Sequence, residues 1–284
     1  MATGARLVGR VGASLVLLIA VVSCGASSQD SSADSAPAIS PGDETAAVVP
    51  PPIRIEYGSE PDQFGRLQLP AGSAPNDGFP VVVLIHGGFW RDMFFLDLMD
   101  NVAEDLAERG YASWNIEYRR VQGAGGWPET GHDVVTAIDS LADMRADQPI
   151  DLDRVVSLGH SAGAHLGLWA LGEQDRVHLR GSVGMGAVVD LAYFSQTVAL
   201  LGGTIDEVPK LFADAAPVLD PERVVLVQGS EDNVVSSASL QVAQDAGVPI
   251  VTIDGDNHFD LIRPATDSWA AALEAIEMFV GPAR

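Results

Sequence analysis

The chain has 284 residues, 47% hydrophobic and 19% charged, which suits one sizeable α/β domain and is too long for a minimal module. Its 16 Lys and Arg against 39 Asp and Glu leave a net charge of −23, which excludes a nucleic-acid binder and makes anionic lipid head groups poor partners. The single cysteine, Cys24, excludes an intrachain disulfide framework and a cysteine metal cluster.

In chain order, residues 1–23 contain Arg6 and Arg10, no acid, and an apolar run over 11–22. That run is short for a membrane span and fits the hydrophobic region of a signal peptide. Cys24 follows directly in Val21-Val22-Ser23-Cys24-Gly25. Aliphatic, small, then Cys resembles a bacterial lipobox, so Cys24 is the expected lipidation site of an exported, lipid-anchored protein. A plain signal peptide with Cys24 a bystander, or an uncleaved anchor, is the plainer reading. Cleavage removes two arginines and no acid, leaving −25. Residues 24–52 are rich in Ser, Ala, Asp, Gly and Pro and end in Pro50-Pro51-Pro52, the composition of a disordered tether. The folded domain is expected over 53–284.

Short strands are predicted over 53–57 and 66–69. The apolar run 80–85 predicts a strand covered on both faces. Helical spacing over 96–109 stops at Gly110, and a strand follows over 111–118. Thr130-x-x-Asp133 reads as a capping box that opens a helix to about 145. Then come a strand (154–158), a helix (161–171), a strand (181–189) and an irregular stretch (190–220). The chain closes with a strand (223–228), a helix (237–246), a strand (249–253) and a helix (269–280). This alternation predicts an α/β fold, a mostly parallel sheet with helices on both faces. Ligands on such sheets bind at the carboxyl ends of the strands.

Four strand ends carry chemistry. Gly159-His160-Ser161-Ala162-Gly163 sits between a strand and a helix, the setting of a nucleophile elbow with Ser161 exposed on a tight bend. His86-Gly87-Gly88-Phe89-Trp90 follows the 80–85 strand, and its glycines let backbone amides turn inward. The oxyanion donors are assigned to the amides of Gly88, Phe89 and Ala162, uncertain by one position along 87–89. His86 reads as a brace of this loop rather than as the base. Asp232, in Gly229-Ser230-Glu231-Asp232, is the candidate acid, with Glu231 as the neighbour that could replace it. His258 is the only histidine downstream of both Ser161 and Asp232, which makes it the candidate base. Phe89, Trp90 and His160 are expected to line the substrate pocket. His132 and His178 read as surface or helix-start residues, and His165 as a pocket or packing residue. No His-Glu-x-x-His occurs, so no metal site is expected.

The order Ser161, Asp232, His258 is that of the α/β-hydrolases, and the chain resembles that superfamily over 53–284. His86-Gly-Gly-Phe-Trp90 is similar to the loop of hormone-sensitive-lipase-like esterases and kynurenine formamidases. Gly159-His-Ser-Ala-Gly-Ala-His-Leu166 and Asn257-His-Phe-Asp260 are similar to the formamidase group. The resemblance implies eight strands, a Ser-His-Asp triad and no cofactor, and the region 190–220 is short for a large cap, so a small one is expected. Phe89 stands where the family carries Gly or Tyr, and Tyr118-Arg119-Arg120 only partly matches its Tyr-Arg-Leu. The expected activity is carboxylic ester hydrolysis through an acyl-enzyme on a small-molecule substrate. The alternatives are formamide, amide or peptide cleavage with the same residues, and a non-catalytic binding module on the same fold. Substrate identity and oligomeric state are not legible.

Overall fold

The computed structural model describes residues 48–283. The signal segment 1–23, Cys24 and the tether as far as residue 47 lie outside the described residues. Among the described residues one sheet holds eight strands: β1 (Ile53–Glu56), β2 (Phe64–Gln68), β3 (Phe79–Ile85), β4 (Ala112–Ile116), β5 (Ile150–His160), β6 (Ser182–Met185), β7 (Val224–Gly229) and β8 (Ile250–Ile253). Their order is β1-β2-β4-β3-β5-β6-β7-β8. β2 is antiparallel to both neighbours, and every pair from β4 to β8 is parallel. Just ahead of β1, the carbonyl of Pro50 accepts a hydrogen bond from the Gln68 amide on β2.

The helices are α1 (Asp100–Glu108), α2 (Glu129–Asp139), α3 (Leu141–Met144), α4 (Ala162–Ala170), α5 (Thr197–Leu201), α6 (Pro209–Asp214), α7 (Gln241–Asp245) and α8 (Asp267–Val280). All seven residues of β3 are buried, as the unbroken apolar run predicts. Strand alternation sends Val81, Val83 and Ile85 into one core with Val134 and Ile138 of α2 and Leu166 of α4. Val82 and Leu84 enter a second core with Val102 and Leu106 of α1 and Trp269 and Ile276 of α8. Two tryptophans tie helix to sheet or to helix through their only polar atom. Trp114 Nε1 donates to the Ala137 carbonyl at 2.8 Å, and Trp269 Nε1 donates to Asp105 at 2.6 Å. No helix of the described residues is long and apolar enough to cross a membrane.

The capping-box reading of Thr130 and Asp133 is corrected. α2 starts at Glu129 after Pro128 and has no side-chain cap. Asp133 is buried and accepts from the Arg119 backbone at 2.9 Å, from its guanidinium at 2.7 and 2.8 Å, and from Gln63 at 2.7 Å. Thr130 Oγ1 donates to the Arg119 carbonyl at 2.7 Å. Both side chains hold the loop between β4 and α2, Thr130 also accepting from the Gly126 amide at 3.1 Å, and neither caps the helix through an amide one turn ahead. β5 begins at Ile150, earlier than predicted, because the chain pairs with β3 on both sides of a register shift between Pro80 and Val81. Asp151 fills that irregularity, accepting from the Asp153 amide and the Arg154 guanidinium. The stretch read as irregular contains α5 and α6, seated by buried Leu200, Leu201 and Phe212.

Candidate active site

Ser161 joins β5 to α4 with φ 57° and ψ −118°, a region an L-residue enters only when its surroundings hold it there. The two glycines of the motif explain how the chain can turn so tightly. A side chain on Gly159 would strike the backbone of Gly163 and Ala164, and one on Gly163 would strike the carbonyls of Ile85 and His86. Their bareness lets α4 start directly against the ends of β5 and β3. The Ser161 amide donates to the Met185 carbonyl at the end of β6, at 2.8 Å.

The loop after β3 is also held in left-handed backbone, with φ 118° at Gly88, 56° at Phe89 and 57° at Trp90. The Arg91 amide donates back to the Gly88 carbonyl at 3.0 Å, which closes a tight turn of the primed type. Such turns are normally built from Asn and Gly, so Phe89 and Trp90 together store strain here. Among the described residues the amides of Gly88, Phe89 and Ala162 donate to no protein acceptor. The loop lies against the serine: a Cβ on Gly87 would sit 2.9 Å from the Ser161 Cβ. His86 braces it from below. Its ring is buried, stacks on Tyr118 at 4.4 Å, and places Nε2 2.8 Å from Glu117 Oε1 and Nδ1 2.8 Å from the Gly87 carbonyl. The Tyr118 hydroxyl donates to the His86 carbonyl at 2.8 Å. Burial pushes the Tyr118 phenol up, so it stays a donor.

Asp232 and His258 meet at the ends of β7 and β8. His258 Nδ1 lies 2.7 Å from Asp232 Oδ2, while Asp232 Oδ1 accepts the amides of Val234 at 2.9 Å and Val235 at 2.8 Å. Burial raises the Asp232 pKa, but the hydrogen bond and charge of His258 and the two amides outweigh it, so the carboxyl lies below its usual range. Glu231 is exposed, and the carboxyl group that meets His258 is that of Asp232. Gly186, next to the Met185 that binds the serine amide, makes room for the pair. Its φ is 54°, and a Cβ there would lie 2.9 Å from His258 Nδ1 and 3.0 Å from Asp232 Oδ2. Ser161 and the His258–Asp232 pair therefore flank one point at the end of β6. Among the described residues no hydrogen bond joins Ser161 Oγ to His258. Such contacts commonly tighten only around substrate. If His258 and Asp232 act on substrate, replacing Gly186 by Ala is expected to lower kcat by up to about 100-fold, the cost of a misplacement of about 1 Å. Equal rates in the variant and the parent would show that the pair tolerates the intrusion.

Two expected pocket residues are corrected. Trp90 and His160 are each 1% exposed and lie behind the loop and the base rather than on a surface a substrate can reach. Phe89 is half-buried. His132 and His178 are exposed, and His165 is buried with Nε2 donating to the Ala215 carbonyl at 2.8 Å. Sequence reasoning missed Gly186 and Glu117. For Gly186 the signal available was a glycine at the end of a short strand, and for Glu117, which follows β4, there was none.

Burial draws His160 down to about 3, with the nearby His258 acting in the same direction, and draws His165 down to about 4, from 6.5. Both are neutral in the fold and titrate near 6.5 once unfolded. Their contribution is complete above about pH 7 and is lost as pH falls through 6.5, because the unfolded chain then binds the protons first. The loss is about 1.4 kcal/mol per pH unit for each ring, or about 4 kcal/mol for the two at pH 5. Urea unfolding at pH 8 and pH 5 checks this, and His165→Gln should flatten the slope by close to one proton.

Among the described residues no group of three or more His, Cys, Asp or Glu could hold a metal ion. A family model described as BD-FAE matches residues 67–190. No curated protein matches the chain. Among solved structures, a truncated carbohydrate esterase from gut microbiota superposes with a TM-score of 0.70 at 19% identity, covering 84% of this chain and 99% of that one. The thermophilic esterase Est2 from the Planctomycetes species Thermogutta terrifontis gives 0.64 at 19% identity, over 81% and 91%. A bifunctional GH43-CE protein of Bacteroides eggerthii gives 0.66 at 19% identity over 79% of this chain. The chain spans 37% of the length of that bifunctional protein, so it corresponds to one part of it. Sheet order, helical layers and these likenesses agree on the α/β-hydrolase fold.

Proposed function

We propose that this α/β-hydrolase is a serine hydrolase that cleaves carboxylic esters. The observation that carries the reading is the His258–Asp232 pair, 2.7 Å apart, set across Gly186 from a serine held at φ 57°. His258 takes the Ser161 proton as the oxygen attacks the acyl carbon, and Asp232 holds the ring with Nδ1–H toward itself. The free amides of Gly88, Phe89 and Ala162 receive the oxyanion. They are oriented before substrate arrives, so no reorganisation is needed as charge develops. His258 returns its proton to the leaving alcohol, and water attacks the acyl-enzyme by the same route. The net charge of −23 favours neutral esters over anionic ones. The family match and the esterases among the structural neighbours support ester chemistry.

The test is a fluorophosphonate adduct mapped by mass spectrometry, together with rates on p-nitrophenyl acetate, an N-formyl aromatic amine and a short peptide. The expected adduct is on Ser161, with the ester turned over fastest. An adduct elsewhere or none would overturn the serine mechanism, and faster formamide turnover would replace the ester class. The lipobox reading is a separate proposal: Cys24→Ser should abolish palmitate labelling in cells and release the protein from the membrane fraction, whereas unchanged labelling would reject it.

A further inference from the structure

His160 precedes the nucleophile and is 1% exposed, yet it sits against both halves of the site. Its ring packs against the His258 ring in a tilted arrangement, with centroids 4.4 Å apart and planes at 42°. Its Nε2 lies 3.0 Å from the His258 backbone carbonyl. A carbonyl can only accept, so Nε2 carries a proton, and burial keeps the ring neutral. The opposite edge faces the oxyanion loop: Nδ1 would lie 3.0 Å from a Cβ on Gly87 and is buried without a partner. Phe259 closes the far side, 6.0 Å from the His160 ring and 5.5 Å from that of His258. The charged and titratable groups around the pair are Asp232 on the β7 loop, His258 on the β8 loop and His86 on the β3 loop.

We infer that His160 is a positioning residue, which fixes the backbone and ring plane of His258 against the oxyanion loop and never touches the substrate. The inference rests on the serine hydrolase reading for its kinetic consequence, but its structural half does not. Two features make the arrangement effective. A donor from the end of β5 ties the loop after β8 to the interior of the sheet, whereas its other anchors, to the Glu231 amide, Asp232 and Ser268, come from the β7 loop and α8 near the sheet edge. A ring that stays neutral adds no repulsion when the neighbouring imidazole becomes an imidazolium during turnover.

Two variants separate the anchor from mere space-filling. His160→Phe keeps a ring packed against His258 but leaves the His258 carbonyl without its donor. His160→Gln restores an N–H at about the position of Nε2. His160→Phe should lower kcat at least 10-fold with KM within twofold of the parent, and His160→Gln should recover most of the loss. NMR titration of the His258 ring in the same three proteins supplies a readout that needs no turnover. The expected result is a displaced His258 resonance and titration midpoint in His160→Phe and a parental one in His160→Gln. A parental kcat and resonance in His160→Phe, equal impairment in both variants, or a rise in KM alone would overturn the inference. If the parent and Ser161-dependent labelling show no hydrolysis, the functional reading fails, while the NMR comparison still decides the role of His160.

Discussion

Ser161→Ala is expected to reduce kcat on p-nitrophenyl acetate by about 10,000-fold or more while leaving the fold intact. The size follows from what the residue supplies. Without Oγ no acyl-enzyme forms, and the activity left is what the free amides of Gly88, Phe89 and Ala162 and substrate binding give to direct attack by water. The stability cost is small because, among the described residues, Ser161 Oγ makes no hydrogen bond whose loss would strand a partner. Alanine also inherits the same φ of 57° and the same strain. The companion variant Ser161→Gly should be equally inactive yet more stable by about 1 kcal/mol, since glycine occupies left-handed backbone without the Cβ penalty. That gain corresponds to about 2–4 °C in Tm for a domain of this size. Inactive and stabilised together is the signature of a strained nucleophile. An inactive but strongly destabilised Ser161→Ala would instead mark the serine as a structural residue.

The residues that carry this expectation were legible in the sequence for a physical reason. Gly159 and Gly163 on either side of Ser161 must be bare because helix, strand and loop backbones converge there, and such a requirement shows as a local motif. The strand of β3 was legible because burial on both faces demands an unbroken apolar run. Residues whose partners lie far along the chain were not. Asp133 resembles a helix cap until Arg119 and Gln63 are seen to meet it. Trp90 and His160 neighbour the reacting groups in sequence, but adjacency along the chain does not say which way a side chain faces, and both face inward. α5 and α6 are too short to be helices on propensity alone and exist because Leu200, Leu201 and Phe212 are packed under the rest of the fold. Glu117 is the clearest case, since nothing local distinguishes it from the other acids of so acidic a chain.

Glu117→Ala should be the most destabilising single change at the site, by about 3–5 kcal/mol. The carboxyl group is 2% exposed and meets four donors or ring nitrogens: His86 Nε2 at 2.8 Å, the Tyr118 amide at 3.0 Å, the Leu96 amide at 3.1 Å, and the Arg120 guanidinium. Arg120 is itself 2% exposed and stays buried when its acid is removed, with Asp92 at 3.0 Å and Asp62 at 3.5 Å as partners nearer the surface. Breaking one side of a buried pair costs more than the pair contributes, because the remaining charge is left short of compensation. Two backbone amides and the His86 ring lose their acceptor as well. For a domain of this size the loss corresponds to a fall in Tm of about 10 °C. Activity should fall with it, since His86 and Tyr118 position the loop that presents the Gly88 and Phe89 amides. Glu117→Gln keeps an acceptor for the two amides but not the charge opposite Arg120, so its Tm should lie between those of the parent and Glu117→Ala. Thermal unfolding at pH 8 with parallel ester rates reads all three. A Glu117→Ala protein that melts within 2 °C of the parent would mean that the loop is held by Tyr118 and its own turn, with the buried acid contributing nothing.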